Sequence, residues 1–513
     1  MKRDLGRLLA TCATTAAFLV TSSGCGSTDS SGSDQAAHPV DADAAPPAAP
    51  MSEQITVSEV AVYQATKAVL VSDGAPVDAP NAPIIAARPG VVRVFVKALG
   101  ATRPQVGAKL VVKRAGKPDL ELHDSKKRVA LRLDDSNLST TFNFEIGADD
   151  MTPDATFSFT AGADLGGTDV VTYPADGSDA PFGAKTGSQT LKVKLVPVAY
   201  QTDGSGRTPD LSDTNYYKDA LYRMYPTAKV EISVRDPFKW SEDVMPDGTG
   251  WDGLLGGIMQ VRKVDKAPAD VYYVGVFNPM NDLSAFCSSG GCVLGIAPQA
   301  SADDVGMRVA LVLGYRSRQA GGTLAQELAH AMGRAHAPCG DPAAIDKKFP
   351  YKDGSIGVWG YDVVAKQYKG PDSSDFMSYC GNVWTSDYTF KGIYQRMELV
   401  TSQVGGTPTT TTGANIAQNE AATIFVARDG TVTAGPTIPV SEVHAPDSDE
   451  SMSVAFEEAG GRVLGTTRAA VRSISNTGGR LLVLPQAPSG AVRARVAGLG
   501  VADLRSAAMR FAR

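Results

Sequence analysis

Beyond position 20 the chain has no apolar run long enough to cross a bilayer as a helix, which takes about 20 residues. That excludes a helical membrane-spanning core. There is no surplus of positive charge either. Lys and Arg number 49 against 55 Asp and Glu, the net charge is −6, and acids and bases are interspersed. Without a basic patch, nucleic acid is not the expected partner. No paired C-x-x-C occurs among the 6 cysteines, which excludes zinc knuckles. No repeat of fixed period occurs, so a solenoid is excluded as well. Histidine is scarce, at 5 in 513 residues, so each one can be accounted for singly.

What is present is ordinary globular material. Hydrophobic residues make up 43 % and charged residues 20 %, enough to bury a large core in more than one domain. The first residues read as an export signal. Lys2, Arg3 and Arg7 precede a short apolar stretch, Leu8 to Val20, too short to span a bilayer. The following "TSSGCGS" resembles the lipobox of bacterial lipoproteins, with Ser22 where that family usually has leucine. The resemblance implies cleavage before Cys25 and a lipid anchor on it. An envelope lipoprotein is therefore expected, facing the periplasm or the cell surface, and a secreted protein is the alternative. Residues 26–54 are small, polar and proline-rich, and read as a disordered tether.

Four cysteines remain beyond the signal and the anchor: Cys287, Cys292, Cys339 and Cys380. In an oxidising compartment an even number suggests two disulfides. Of three possible pairings the expected one is Cys287–Cys292, across "CSSGGC", with Cys339–Cys380. The second closes a loop of about 40 residues, worth at most about 4 kcal/mol by chain entropy.

Short segments of two-residue alternation fill residues 55–203, among them "ITVSEVAVY", "VVRVFVKAL", "AKLVVKR", "RVALRL", "TTFNFEI", "ATFSFTAG" and "TLKVKLVPV". Turn residues separate them, so the expectation is an antiparallel, Ig-like β-sandwich. The likeness is one of architecture only, because the Cys–Trp–Cys signature of antibody domains is absent. Residues 204–404 change period. "DTNYYKDALYRMY" reads as a helix capped by Asp213, "KVEISV" as a strand, "WDGLLGGIMQVRKV" as a helix and "ADVYYVGVF" as a buried strand. Residues 323–333 read as a further helix, and the whole as an α/β domain. "GGTPTTTTG" within 405–415 reads as a linker, and residues 416–513 as a small all-β domain, taken as a sandwich.

Inside the third helix lies "QELAHAMGRAH", Gln326 to His336. Residues four apart share a helix face, so Gln326 and His330 project together, with Glu327 about 100° round. Gly333 permits the left-handed turn that would end the helix and bring His336 back. Two histidines beside a glutamate are a recurrent zinc grip.

The segment resembles the metzincin zinc peptidases, whose pattern is H-E-x-x-H-x-x-G-x-x-H. Glu327, His330, Gly333 and His336 match four of its five fixed positions. That clan also has a methionine turn downstream, and "SSDFMSYCG" supplies Met377 and Tyr379. The resemblance covers about residues 215–399. It implies one Zn2+ held by His330 and His336, Glu327 as general base, Tyr379 as oxyanion donor, and Met377 as a structural floor. The implied activity is an exported zinc metalloendopeptidase acting on protein or peptide substrates.

Gln326 departs from the pattern. Only its amide oxygen can coordinate, a neutral, hard donor better suited to Ca2+ or Mg2+. Three outcomes are open: a weak Gln326 ligand, a water in its place, or a metal-free scaffold. The last defines the alternative function, a catalytically inactive surface lipoprotein that binds through this scaffold and its β domains. The other histidines, His38, His123 and His444, fall outside the central domain. Ca2+ is a second ion to consider in "DPAAIDKKFPYKDG" and "DGSIGVWGYD", although solvated loops account for the same composition.

Overall fold

The computed structural model describes residues 49–288, 290–405, 419–441 and 451–511. The signal, Cys25, most of the tether and the 405–415 linker beyond Gly405 lie outside the described residues. The tether was expected to reach residue 54. Instead Met51–Gln54 form a helical turn, with Met51 buried against the first strand. The chain is mostly β, in several sheets, with few helices.

The first strands form two sheets around one core. One has the order Ala75–Pro76, Lys67–Ser72, Ile55–Tyr63, Gly90–Ala98, Phe142–Ile146. The other runs Ala180–Pro181, Thr156–Gly162, Gln105–Lys113, Leu120–Arg128, with Val170–Tyr173 beside Thr156–Gly162. Alternate residues such as Val92, Val94, Val96, Leu110, Val112, Phe157 and Phe159 meet in that core. "RVALRL" is not the strand expected. Its place is taken by Leu120–Arg128, an edge strand whose side chains are mostly solvated.

A third sheet carries the site. It begins with β1 (Thr190–Tyr200), the segment expected to close the N-terminal sandwich. β1 instead pairs in parallel with β2 (Lys229–Val234), β3 (Phe238–Trp240) and β4 (Val271–Phe277). β4 pairs with β6 (Val309–Leu313), and the short β5 (Gly295–Ile296) closes the edge antiparallel to β6. The Val- and Leu-rich strands suit a sheet covered on both faces.

On one face lie α1 (Asn215–Met224), α3 (Arg318–Ala331) and α4 (Asp387–Gly405). Tyr217, Leu221, Leu324, Leu328 and Met397 pack there on Leu191, Val193 and Val274. Each such burial is worth about 1.5–3 kcal/mol. Two caps fall differently from expectation. Thr214 is the cap of α1, although Asp213 still accepts from the Asn215 N–H at 3.0 Å. α3 starts five residues early, capped by Ser317 on the Ala320 N–H.

The other face holds α2 (Trp251–Val264) and then the last sheet. That sheet comprises β7 (Asn419–Val426), β8 (Val432–Ala434), β9 (Ile438–Val440), β10 (Ser451–Glu457), β11 (Val463–Ser473), β12 (Arg480–Pro485), β13 (Arg493–Val496) and β14 (Gly500–Asp503), followed by α5 (Leu504–Phe511). It is one curled sheet, ordered β8-β7-β12-β11-β10-β13-β14 with β9 on β7, rather than a two-layer sandwich. β8 approaches β14, so the sheet nearly closes. The reason is β11, a long, largely solvated strand that joins both halves in one ladder. Phe425, Ile438, Leu481 and Ile474 share a core with Leu254, Ile258 and Ile296, so this sheet is packed onto the central one.

Candidate active site

α3 delivers Glu327 and His330, both fully buried. Gly333, at φ +82°, ends the helix with a pair of closing bonds, from the Gly333 N–H to the His330 carbonyl and from the Arg334 N–H to the Ala329 carbonyl. A Cβ at Gly333 would meet the Arg396 guanidinium at 2.7 Å. The chain then reverses and returns His336. The Nε2 atoms of His330 and His336 stand 3.0 Å apart, with ring centroids at 4.4 Å.

The far nitrogens fix the tautomers. The Nδ1–H of His330 donates to the Arg334 carbonyl at 2.7 Å, and that of His336 to the Ala343 carbonyl at 2.6 Å. Two Nε2 lone pairs therefore face each other. A donating water, a shared proton or a cation would relieve that arrangement. A backbone carbonyl behind each ring is also the usual support of a metal-bound imidazole. The pair thus fits a divalent ion at two corners. Burial, and then the facing His336, push the His330 pKa down to about 3, so protonation is a poor solution. Burial lowers His336 as well.

The third corner is different. The Gln326 side-chain amide donates to the carbonyls of Phe376 and Ser378, each at 3.2 Å. These flank Met377, which is buried, with its N–H held by the Asp375 carboxylate at 2.8 Å. Gln326 thus ties the helix to the turn that carries Met377. The Cys339–Cys380 disulfide secures the same turn, as do bonds from the Ala337 N–H to the Met377 carbonyl and from the Tyr379 N–H to the Cys339 carbonyl, both 3.0 Å. Cys287–Cys292 also forms, so both expected pairings are present.

Tyr379 is half exposed and meets the His336 ring edge-on at 5.0 Å. Burial of its hydroxyl, and then the Glu327 carboxylate, raise its pKa to about 12, so it is a hydrogen-bond donor at neutral pH.

Two side chains that the motif did not announce complete the site. Ser475 Oγ donates to Glu327 Oε2 at 2.6 Å, and Asn476 Nδ2 donates to Glu327 Oε1 at 2.7 Å. Both come from the turn between β11 and β12 in the last sheet. The Tyr379 hydroxyl donates to Asn476 Oδ1. Burial raises the Glu327 pKa to about 8, against the lowering effect of Ser475 and Asn476. Gly295 of β5 leaves room for this carboxylate, since a Cβ there would lie 2.6 Å from Glu327 Cγ. No sequence signal pointed to Asn476, which is 149 positions from Glu327.

The remaining candidates lie elsewhere. His123 is on an exposed edge strand near Glu121, and His38 and His444 are outside the described residues. In the loops considered for Ca2+, Asp346 accepts from Tyr388 at 2.9 Å, and Asp362 accepts from the N–H groups of Val364 and Ala365. Among the described residues no group of three or more His, Cys, Asp or Glu side chains gathers as an ion site.

The helix thus sets a glutamate beside two converging imidazoles, with the Tyr379 hydroxyl linked to that carboxyl group through Asn476. Over residues 311–426, which contain this helix, its return turn and the turn that carries Met377, the chain is similar to the family Peptidase M66, and this supports a peptidase. A search of curated proteins found no match.

Proposed function

We propose that the chain is an exported, lipid-anchored metalloendopeptidase in which residues 204–404 form a metzincin-like catalytic domain flanked by two β domains. The observation that carries this reading is the opposed pair of His330 and His336 lone pairs, 3.0 Å apart beside Glu327. Those two imidazoles would hold Zn2+ through Nε2. When bound, the ion supplies Lewis-acid polarisation of a peptide carbonyl and a lowered water pKa.

The chain's own groups do the rest. Glu327, beside the two imidazoles, accepts a proton from water and returns it to the leaving amine. The Tyr379 hydroxyl donates to the oxygen on which charge develops. Gln326 acts as the tether of the turn that carries Met377, which leaves His330 and His336 as the two side chains that would hold the ion, more weakly than three histidines would. Export is supported by the two disulfides.

The test is cleavage of casein by purified protein in added zinc. The reading expects slow cleavage that Glu327→Gln removes, a loss of about 100-fold or more for a general base. Cleavage unchanged in Glu327→Gln would overturn it. One observation favours a second reading, a binding scaffold without catalysis: both oxygens of Glu327 are already engaged by Ser475 and Asn476. In that case zinc binds and no cleavage occurs in any variant.

A further inference from the structure

β5 is the outer strand of the central sheet, and such an edge receives an extended peptide by strand addition. Here the edge is already taken just past β5. The Gln299 N–H donates to the Ser473 carbonyl at 2.8 Å, and the Ser475 N–H donates to the Ala297 carbonyl at 2.9 Å. Pro298 and Ile474 form the antiparallel bridge between them. Residues 473–475 thus lie along the edge as an incoming peptide would.

The next residue reaches the reactive groups. The Asn476 side chain is a primary amide. Its oxygen accepts from the Tyr379 hydroxyl, and its N–H donates to Glu327 and to the Gly295 carbonyl at 2.8 Å. The polarity is that of a peptide group lying between an oxyanion donor and a proton carrier. Ser475 takes the other carboxylate oxygen and also accepts from the Ala297 N–H at 2.8 Å. A cleft of about 440 Å3 opens beside this contact, with His336, Ala343, Gln299 and Arg480 among its walls.

We propose that residues Ser473–Asn476 are an intramolecular occupant of the peptide site, with the Asn476 carboxamide in the place of a substrate peptide group. The occupant is a turn on a firmly packed sheet. Opening it means releasing residues 473–479, which withdraws Ile474 from the core it shares with Phe425, Ile438 and Leu481. An extended peptide that pairs with residues 297–299 would displace it. This inference rests on residues 326–336 being a peptide site, and binding and cleavage are measured separately for that reason.

The experiment uses the full chain and its Asn476→Gly variant. Asn476 has φ +62°, which glycine adopts freely, so the turn keeps its backbone. Fluorescein-labelled casein is the probe. Its binding is read by anisotropy in chelator, where cleavage cannot contribute, and its cleavage is read in zinc. Losing the Asn476 hydrogen bond to a buried carboxylate should tighten binding by about tenfold and speed cleavage by a similar factor. Ser475→Ala, which removes the other hydrogen bond to the Glu327 carboxyl group, should act in the same direction and guards against a folding defect in the glycine variant. Tighter binding with no cleavage in any variant would uphold the occupant and end the peptidase reading. Binding equal to or weaker than wild type in both variants, at unchanged melting temperature, would overturn the occupant, whatever the cleavage.

Discussion

At the scale of single residues, burial sets Glu327 and His330 against each other. The His330 pKa falls from 6.5 to about 3, so the folded state binds fewer protons than the unfolded chain between those values. Its contribution to stability is complete above pH 6.5 and lost as the pH falls towards 3. The Glu327 pKa rises from 4.5 to about 8, so the folded state keeps its proton longer. That contribution is complete below pH 4.5 and lost as the pH rises to 8. Metal-free protein should therefore be most stable between about pH 4.5 and 6.5, where the two oppose each other. Urea midpoints at three pH values check this. Glu327→Gln should remove the decline on the alkaline side, and a midpoint that keeps falling there would contradict the assignment. Most of this site was legible because Glu327, His330, Gly333 and His336 lie within one turn-and-return of chain. Ser475 and Asn476 were not, since a serine and an asparagine in a β-turn look like turn chemistry wherever they occur.

At the scale of elements, α3 and the turn that carries Met377 are joined by one side-chain amide. Gln326→Ala leaves the Phe376 and Ser378 carbonyls without that donor. The expected cost is about 1–2 kcal/mol, seen as a lower melting temperature. An unchanged melting temperature would show that the tether carries nothing. Central strands such as β4 and β6 were readable because a strand covered on both faces is a continuous apolar run. The edge strand Leu120–Arg128 was not, because it is mostly polar and only half-buried at alternate positions, so its two-residue period is weak in the sequence. β11 escaped for the same reason, and with it the continuity of the last sheet.

At the scale of the whole molecule, the sheets share cores and buried cations across their boundaries. Period-2 patterning gives a strand but not its sheet, so β1 was grouped with the strands that precede it. A buried arginine marks the join. Arg88 is fully buried, stacks over Tyr222 at 4.7 Å, and donates to the carbonyls of Gln64, Thr227 and Arg223. Arg88→Leu should cost about 3 kcal/mol or more, because the buried Gln64 and Thr227 carbonyls and the half-buried Arg223 carbonyl lose their donor. Differential scanning calorimetry should show the N-terminal sheets melting apart from the rest. A single transition at the wild-type temperature would refute that coupling.

Zinc-dependent cleavage requires His330 and His336 to share one divalent ion. Equilibrium dialysis against zinc measures this directly, on the full chain and on His336→Ala and Gln326→His. The expected result is one zinc per chain in wild type, none in His336→Ala and tighter binding in Gln326→His. Wild-type protein that takes up no zinc, or His336→Ala that retains it, would contradict the account.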